Sequence, residues 1–155
     1  PFDFDGFCRM VDVYGNGADF ICAPDVVEGG LASLAISIEW IDRLKRITRV
    51  LIPVQDGMSP ADVRPYIGPD VGIAVGGSTD WKEHTTPEWG RLCAEKSAYL
   101  HVFRVNTCRR IAICADAGAH SFDGTSATRF SKNVPRLNRA RKQLSLLAPR
   151  SENVQ

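Results

Sequence analysis

The chain has 155 residues, of which 44% are hydrophobic and 24% charged, and its formal net charge is +1. A chain of this size buries one core of ordinary dimensions, so we predict a single domain over residues 1–155. Charges interrupt every apolar stretch well short of the roughly 20 residues that span a bilayer, and no signal-peptide pattern is present. We therefore expect a cytoplasmic protein with no membrane partner.

The chain begins at Pro1 in the middle of the pattern PFDFDGF, which we interpret as the later part of a longer protein. Its five cysteines form no CxxC pair and have no histidine at ligand spacing. They stand at positions 8, 22, 93, 108 and 114. This pattern predicts reduced, mostly buried thiols, with neither a disulfide framework nor a bound metal.

Five short runs of branched and aromatic residues predict strands. They cover residues 19–23, 50–55, 71–75, 99–105 and 120–122. Their continuous apolar character is typical of strands that are covered on both faces, as in a parallel sheet.

Helical patterns lie between these strands. Apolar residues at helical spacing predict a helix over 30–47. Ser59 and Thr86 each precede a proline and an acidic residue, which predicts a helix start at both. A further helix is predicted over 107–117, closed by Gly118. The last is predicted over about 126–147, with Pro135 breaking or restarting it.

Strand and helix thus alternate about five times without a hairpin signal, which predicts an α/β fold with right-handed crossovers. Spacing alone leaves two architectures open. One is an open doubly wound sheet, and the other is about five consecutive units of a (β/α)8 barrel of the TIM type.

Polar or glycine residues follow each predicted strand. In chain order they are Asp25, Gln55, Gly76, Gly77, Arg104 and Asp123. The carboxyl ends of parallel strands meet at one edge, where barrels and open α/β sheets build their sites. One such aspartate is more often a helix cap and one Gly-Gly more often a turn, so the prediction of a site rests on their repetition.

These groups together match one kind of ligand. A guanine-like edge offers two hydrogen-bond donors and one carbonyl acceptor. Asp25 would accept from the donors, while Gln55 and the Gly77 N–H would donate to the carbonyl. Asp123 is then left for covalent chemistry as a nucleophile.

In this order, the segments APDVV, PVQDG, VGGSTDW, YLHVFRVN and SFDGTSATR resemble the catalytic barrel of the tRNA-guanine transglycosylases. More narrowly, they are similar to the shorter phage and bacterial enzymes that insert 7-deazaguanine bases into DNA. The resemblance covers residues 19–129. It implies a (β/α)8 barrel, present here as about five C-terminal β/α units. It also implies a pentosyltransferase that exchanges guanine for a 7-deazaguanine in nucleic acid.

The resemblance implies roles for individual residues. Asp123 falls on the family's nucleophile, which attacks C1′ of the target nucleoside and holds the ribose as a covalent aspartyl intermediate. Asp25 and Gln55 fall on the aspartate and glutamine that recognise the base. Gly76 and Gly77 fall on a pair whose backbone N–H contacts the base carbonyl. The chemistry itself implies no cofactor.

Two further groups follow from the same comparison. Phe103 and Arg104 fall on the segment that packs over the bound base, and Arg129 falls on an arginine that contacts nucleic acid. Between residues 129 and 150 there are seven Lys or Arg and no acid, which predicts a basic helical tail suited to phosphate. Lys132 and Arg136 in this tail are further candidates for binding nucleic acid.

The tRNA enzymes of this family carry a zinc site of three cysteines and a histidine after the barrel, and this sequence has none after Asp123. That difference favours DNA over tRNA as the nucleic-acid substrate. The sequence leaves two other functions open. One is a barrel module that binds nucleic acid or a base without catalysis, and the other is a barrel enzyme for a phosphorylated metabolite, with Gly76 and Gly77 as its phosphate loop. It also leaves a homo-oligomer open.

Overall fold

The structure, a computed structural model, describes residues 2–125 and 129–147. Its strands form one five-stranded sheet in which each strand pairs in parallel with the one before it. They are β1 (Ile21–Cys22), β2 (Val50–Val54), β3 (Val71–Val75), β4 (Leu100–Val102) and β5 (Ser121–Phe122).

Helices connect these strands. They are α1 (Phe4–Tyr14), α2 (Gly30–Leu44), α3 (Pro60–Val63), α4 (Thr79–Lys96), α5 (Cys108–Asp116) and α6 (Val134–Leu147). Single 3-10 turns lie at Gly15–Gly17 and Ser131–Asn133. Within the described ranges, no helix is both long and apolar enough to cross a membrane.

The strand order distinguishes the two predicted architectures. A doubly wound sheet reverses its order at a switch point, whereas here the order in space is the order in the chain. The sheet curls into a half-barrel that is compatible with part of a (β/α) barrel. The predicted α/β class and parallel sheet are therefore confirmed, and the doubly wound alternative is not.

The register assigns side chains to the two faces of the sheet, because successive residues of a strand point to opposite sides. One row contains Ile52, Ile73 and Leu100, all fully buried in the main core with residues of the helices. The next row lies on the opposite, concave face and contains Pro53, Ala74, His101 and Ser121. The concave face therefore becomes polar where β4 meets β5.

Three predicted helix ends are confirmed. Ser59 and Asp62 form a capping box before α3, in which the Ser59 N–H donates to Asp62 Oδ2 at 2.8 Å. Thr107 caps α5 by accepting from the Arg110 N–H at 3.3 Å. Gly118 follows that helix with a φ of 69°, a left-handed conformation that glycine adopts without strain.

The predicted helix start at Thr86 is wrong. Helix α4 begins two turns earlier, after Ser78, and Pro87 lies inside it. Proline removes one helical N–H donor. The hydroxyls of Thr85 and Thr86 donate to carbonyls four residues earlier, at 2.9 and 2.6 Å, which is a local bond that accommodates bending of a helix. The helix therefore continues through a threonine–proline–glutamate sequence that is also typical of a helix start.

Other boundaries differ by a few residues. The helix predicted over 30–47 ends at Leu44, and the strand predicted over 99–105 ends at Val102. Helix α1 was not predicted. Its first turn is capped by Asp3, whose carboxylate accepts from the Gly6 N–H at 2.8 Å.

Two further predictions concern the tail and the cysteines. Pro135 lies in the first turn of α6, so it restarts the helix, while residues 126–128 of the predicted segment lie outside the described residues. All five cysteines are free thiols, but only Cys93 and Cys114 are buried. The prediction of mostly buried thiols is therefore wrong for the other three, which are half-buried.

Gly90 supports the close approach of α4 to the end of α5. A Cβ at this position would overlap the backbone carbonyl of Ala117. Although alanine favours a helix over glycine, we expect Gly90→Ala to destabilise the fold by roughly 1–3 kcal/mol, because backbone has to move. Denaturant unfolding measures the effect. Gly68→Ala is the control, because a Cβ there meets nothing within 4 Å, and equal stability of the two variants would contradict the prediction.

Candidate active site

A cavity of about 600 Å³ opens where the strands end. Its wall includes every residue that the sequence predicts for base binding, namely Asp25, Gln55, Gly76, Gly77, Phe103 and Arg104. These residues come from four separate connections between strand and helix, and the parallel register brings them together. Their roles stay a prediction, but their convergence is a feature of the structure.

Asp25 and Gln55 form one side of the cavity. Gln55 is 5% exposed, and its Nε2 donates to the carbonyl of Val26 at 2.9 Å. This bond uses one of the two amide N–H groups and holds the side chain in the cavity wall. Burial raises the pKa of the Asp25 carboxyl. A ligand that donates hydrogen bonds to this carboxylate would therefore offset a real desolvation cost.

The Gly76–Gly77 turn is fixed by Asp56. The Asp56 carboxylate accepts from the backbone N–H and from the hydroxyl of Ser78, both at 2.6 Å, and these bonds lower the pKa of Asp56. Gly77 has a φ of 73°, and a Cβ on it would overlap the Asp56 carboxylate. The turn thus needs glycine at position 77 for both its conformation and its space.

Arg104 connects the ends of β3 and β5. Its guanidinium donates to the carbonyl of Gly77, and its backbone N–H donates to Asp123 Oδ1 at 2.7 Å. Its φ of 57° is unusual for a residue with a side chain. Such conformations persist where the surroundings hold them, often at functional sites.

Asp123 lies beside the cavity rather than in its wall. Its side chain is 52% exposed. The thiol of Cys22 is half-buried, and its pKa is raised to about 12, mainly by burial and further by the negative charges of Asp25 and Asp123. This thiol therefore stays protonated at neutral pH.

His101 is a site residue that sequence reasoning missed. Its side chain is 6% exposed, with Nδ1 2.7 Å from Ser121 Oγ and Nε2 3.5 Å from Asp123 Oδ2. The rings of Phe20 and Phe103 pack against it, with centroids 5.1 and 5.0 Å away. The sequence signal for His101 was its position two residues before Phe103, because alternate residues of an extended segment lie on the same face. Using that signal requires the register, which pairs His101 with Ser121.

The ring nitrogens of His101 have a consistent assignment. Because an ionised carboxylate can only accept, we assign the hydrogen to Nε2, which donates to Asp123, and Nδ1 then accepts from the Ser121 hydroxyl. Burial lowers the pKa of His101, and Asp123 opposes that shift. The imidazole is thus neutral at pH 7 and acts as a hydrogen-bond donor to Asp123.

The basic candidates lie elsewhere. Arg129, Lys132 and Arg136 are all exposed, and helix α6 packs against α5 rather than over the cavity. Arg136 lines a small space of about 130 Å³ next to Thr107. The structure therefore does not bring these three residues into the cavity wall.

No family model, curated protein or solved structure matches this chain. Within residues 2–125 and 129–147, no three His, Cys, Asp or Glu side chains converge in a way that could hold a metal ion.

The lowered pKa of His101 predicts a dependence of stability on pH. The unfolded chain binds the proton more readily than the folded chain. The contribution of His101 is therefore fully present above its unfolded pKa of 6.5 and is lost as the pH falls below it. We expect the wild-type free energy of unfolding to fall more steeply than that of His101→Gln between about pH 7.5 and about pH 5.

Chemical denaturation at a series of pH values measures this difference. His84→Gln is the control, because it removes an imidazole that is exposed. Parallel profiles of wild-type and His101→Gln would show that His101 is not held as a neutral donor.

Proposed function

We propose that the chain is the catalytic part of a transglycosylase that exchanges guanine for a 7-deazaguanine base in nucleic acid, with DNA preferred over tRNA. The observation that carries the proposal is the convergence of six base-binding candidates in one cavity, with Asp123 linked to its wall through the Arg104 N–H. We further infer that the curled sheet is the later part of an eight-stranded (β/α) barrel.

Base recognition follows from the donors and acceptors of the cavity wall. The Asp25 carboxylate accepts from the ring N–H and the amino group of a guanine-like edge. Gln55 and the Gly77 N–H donate to its carbonyl oxygen. The half-buried position of Asp25 makes these bonds favourable, because a ligand without the two donors would leave a partly desolvated carboxylate unsatisfied. Phe103 in the same wall packs against the base.

The reaction proceeds in two displacements at C1′. A carboxylate oxygen of Asp123 forms a bond to C1′ while the bond from C1′ to N9 breaks, and guanine leaves with the bonding electrons and takes up a proton from water at N9. The incoming 7-deazaguanine loses its N9 proton to water and attacks C1′. This step breaks the ester and restores the carboxylate. The Arg104 N–H and His101 Nε2 hold the two oxygens of Asp123 between these steps.

A nucleic-acid substrate fits the exposed surface next to the site. Asp123 lies at the end of the sheet, so a target nucleotide has to leave its stack to present C1′ to it. Arg129, Lys132 and Arg136 are exposed outside the cavity wall, and we propose that they supply cations for backbone phosphates. Such contacts add affinity that falls as salt rises.

The contacts of Ser78 disfavour the phosphorylated metabolite. A phosphate loop offers the N–H groups at a helix N-terminus to the anion. Here the Asp56 carboxylate already accepts the Ser78 N–H at the start of α4. A bound phosphate would lie against this negative charge, so the Gly-Gly turn suits a neutral base better than an anion.

Replacing the nucleophile tests the reaction. We expect Asp123→Asn to lower exchange of radiolabelled guanine into DNA by roughly a thousandfold or more, about 4 kcal/mol in activation free energy, because an amide cannot form the ester. Asp70→Asn is the matched control. It changes an exposed aspartate just before β3, at the opposite end of the sheet.

The assay uses the full-length protein with DNA and tRNA offered in parallel. Exchange by Asp123→Asn at the wild-type rate would remove Asp123 as nucleophile, and labelling of tRNA alone would reject the preference for DNA. Base binding by the wild type without any exchange would support the non-catalytic module.

Replacing the base-reading carboxylate tests recognition separately. We expect Asp25→Ala to weaken binding of a 7-deazaguanine base by about 1–3 kcal/mol, because two buried donors of the ligand lose their acceptor. Calorimetric titration of the base into wild type, Asp25→Ala and Asp70→Asn measures the change. Unaltered affinity in Asp25→Ala would exclude Asp25 from the site.

A further inference from the structure

Lys82 lies on α4 behind the cavity, and its side chain reaches the peptide bond between Phe103 and Arg104. The residue is 3% exposed, and its Nζ donates to the Phe103 carbonyl at 2.6 Å. On the other edge of the same peptide, the Arg104 N–H donates to Asp123 Oδ1 at 2.7 Å. Because the C=O and N–H of a trans peptide point in opposite directions, one planar unit connects Lys82 with Asp123.

The turn that contains this peptide needs support. Arg104 has a φ of 57°, which is unfavourable for a residue with a Cβ. Lys82 on α4 donates to the Phe103 carbonyl, the first carbonyl of the turn. Arg110 on α5 donates to the Arg104 carbonyl, with Nη1 3.5 Å from the oxygen. Arg110 is itself fixed by Glu83, with Nε 2.8 Å from Oε1. The turn is therefore clamped from two helices.

An ordinary ion pair does not account for the buried ammonium group of Lys82. Within the described ranges, its Nζ forms no ion pair with a carboxylate. Its pKa is lowered to about 8, mainly by burial and further by the nearby cations Arg104 and Arg110, while Asp123 and Cys114 act in the opposite direction. A buried ammonium next to two guanidinium groups is costly to fold. Its main compensation is the Phe103 carbonyl.

We propose that Lys82 is a positioning residue, whose ammonium group holds the Phe103–Arg104 peptide so that the Arg104 N–H fixes one oxygen of Asp123. The cation also polarises this peptide, which strengthens the N–H as a donor. The same bond keeps Phe103 and Arg104 in the cavity wall. The role in catalysis rests on the proposed function, but the link from Lys82 to Asp123 does not.

The first test needs no substrate. In the wild-type protein, the amide resonance of Arg104 is followed by NMR from about pH 6 to about pH 10, beside the side-chain Cε resonance of Lys82. We expect a shift of the Arg104 amide with the midpoint of Lys82, near 8. The thiols of Cys22 and Cys114 titrate higher, because burial raises their pKa values to about 12 and about 11.

Variants then test whether the charged hydrogen-bond donor at position 82 holds the Arg104 amide. Lys82→Met removes both, and we expect loss of the Arg104 shift near pH 8 and faster hydrogen exchange of that amide, by about tenfold or more. Lys82→Arg keeps a cation and restores slow exchange in part. Lys96→Met, near the other end of α4, is the control and leaves the Arg104 amide unchanged.

The catalytic part is tested by the kinetics of base exchange. We expect Lys82→Met to lower kcat by about tenfold with a smaller change in KM for the base, because Asp123 is misplaced while Asp25 and Gln55 are not. Partial recovery of kcat in Lys82→Arg supports positioning. An Arg104 amide that does not respond to Lys82 ionisation in the wild type overturns the proposal, whether or not Lys82→Met folds. A wild type that shows this response but exchanges no base overturns the proposed function and leaves the link to Asp123 supported.

Discussion

The in-register parallel pairing of consecutive strands is the constraint on which the rest of the structure depends. The longest ladder joins β2 and β3 over five residue pairs, and both strands are buried along their whole length. Because every strand runs in the same direction, every strand ends at the same edge, and the connections that follow meet there. The cavity wall is the direct result, since its residues stand far apart in the chain and share only this edge.

At that edge the fold tolerates groups that oppose folding. Burial raises the pKa of Asp25 and lowers the pKa of Lys82, so both side chains bear a desolvation cost. Arg104 adds a left-handed backbone conformation. These features are concentrated around one peptide unit and one cavity, while the strands behind them are apolar and closely packed. Such a contrast is typical of a site whose geometry serves a ligand rather than stability.

Sequence reasoning succeeded where a local pattern has one physical meaning. The apolar runs located all five strands to within a few residues. The prediction that both faces are covered holds for β2, β3 and β4, which are buried along their whole length, but is wrong for β1 and β5 at the two ends of the sheet, which are partly exposed. Sequence reasoning also failed at Thr86, where a threonine and a proline mimic a helix start inside a longer helix. There the hydroxyls that would cap a helix bond to carbonyls of the preceding turn instead, and packing of α4 against the sheet decides the outcome.

The sequence by itself determined the α/β class, the direction of the strands and which polar residues stand at their ends, because these follow from residue type and spacing along the chain. Only the tertiary structure decided that the strands lie in chain order, that Asp123 stands beside the cavity, and that His101 and Lys82 both connect to it. Those relations depend on register and on bonds between residues about 20 positions apart. Neither is encoded in any local pattern, so each required the folded chain.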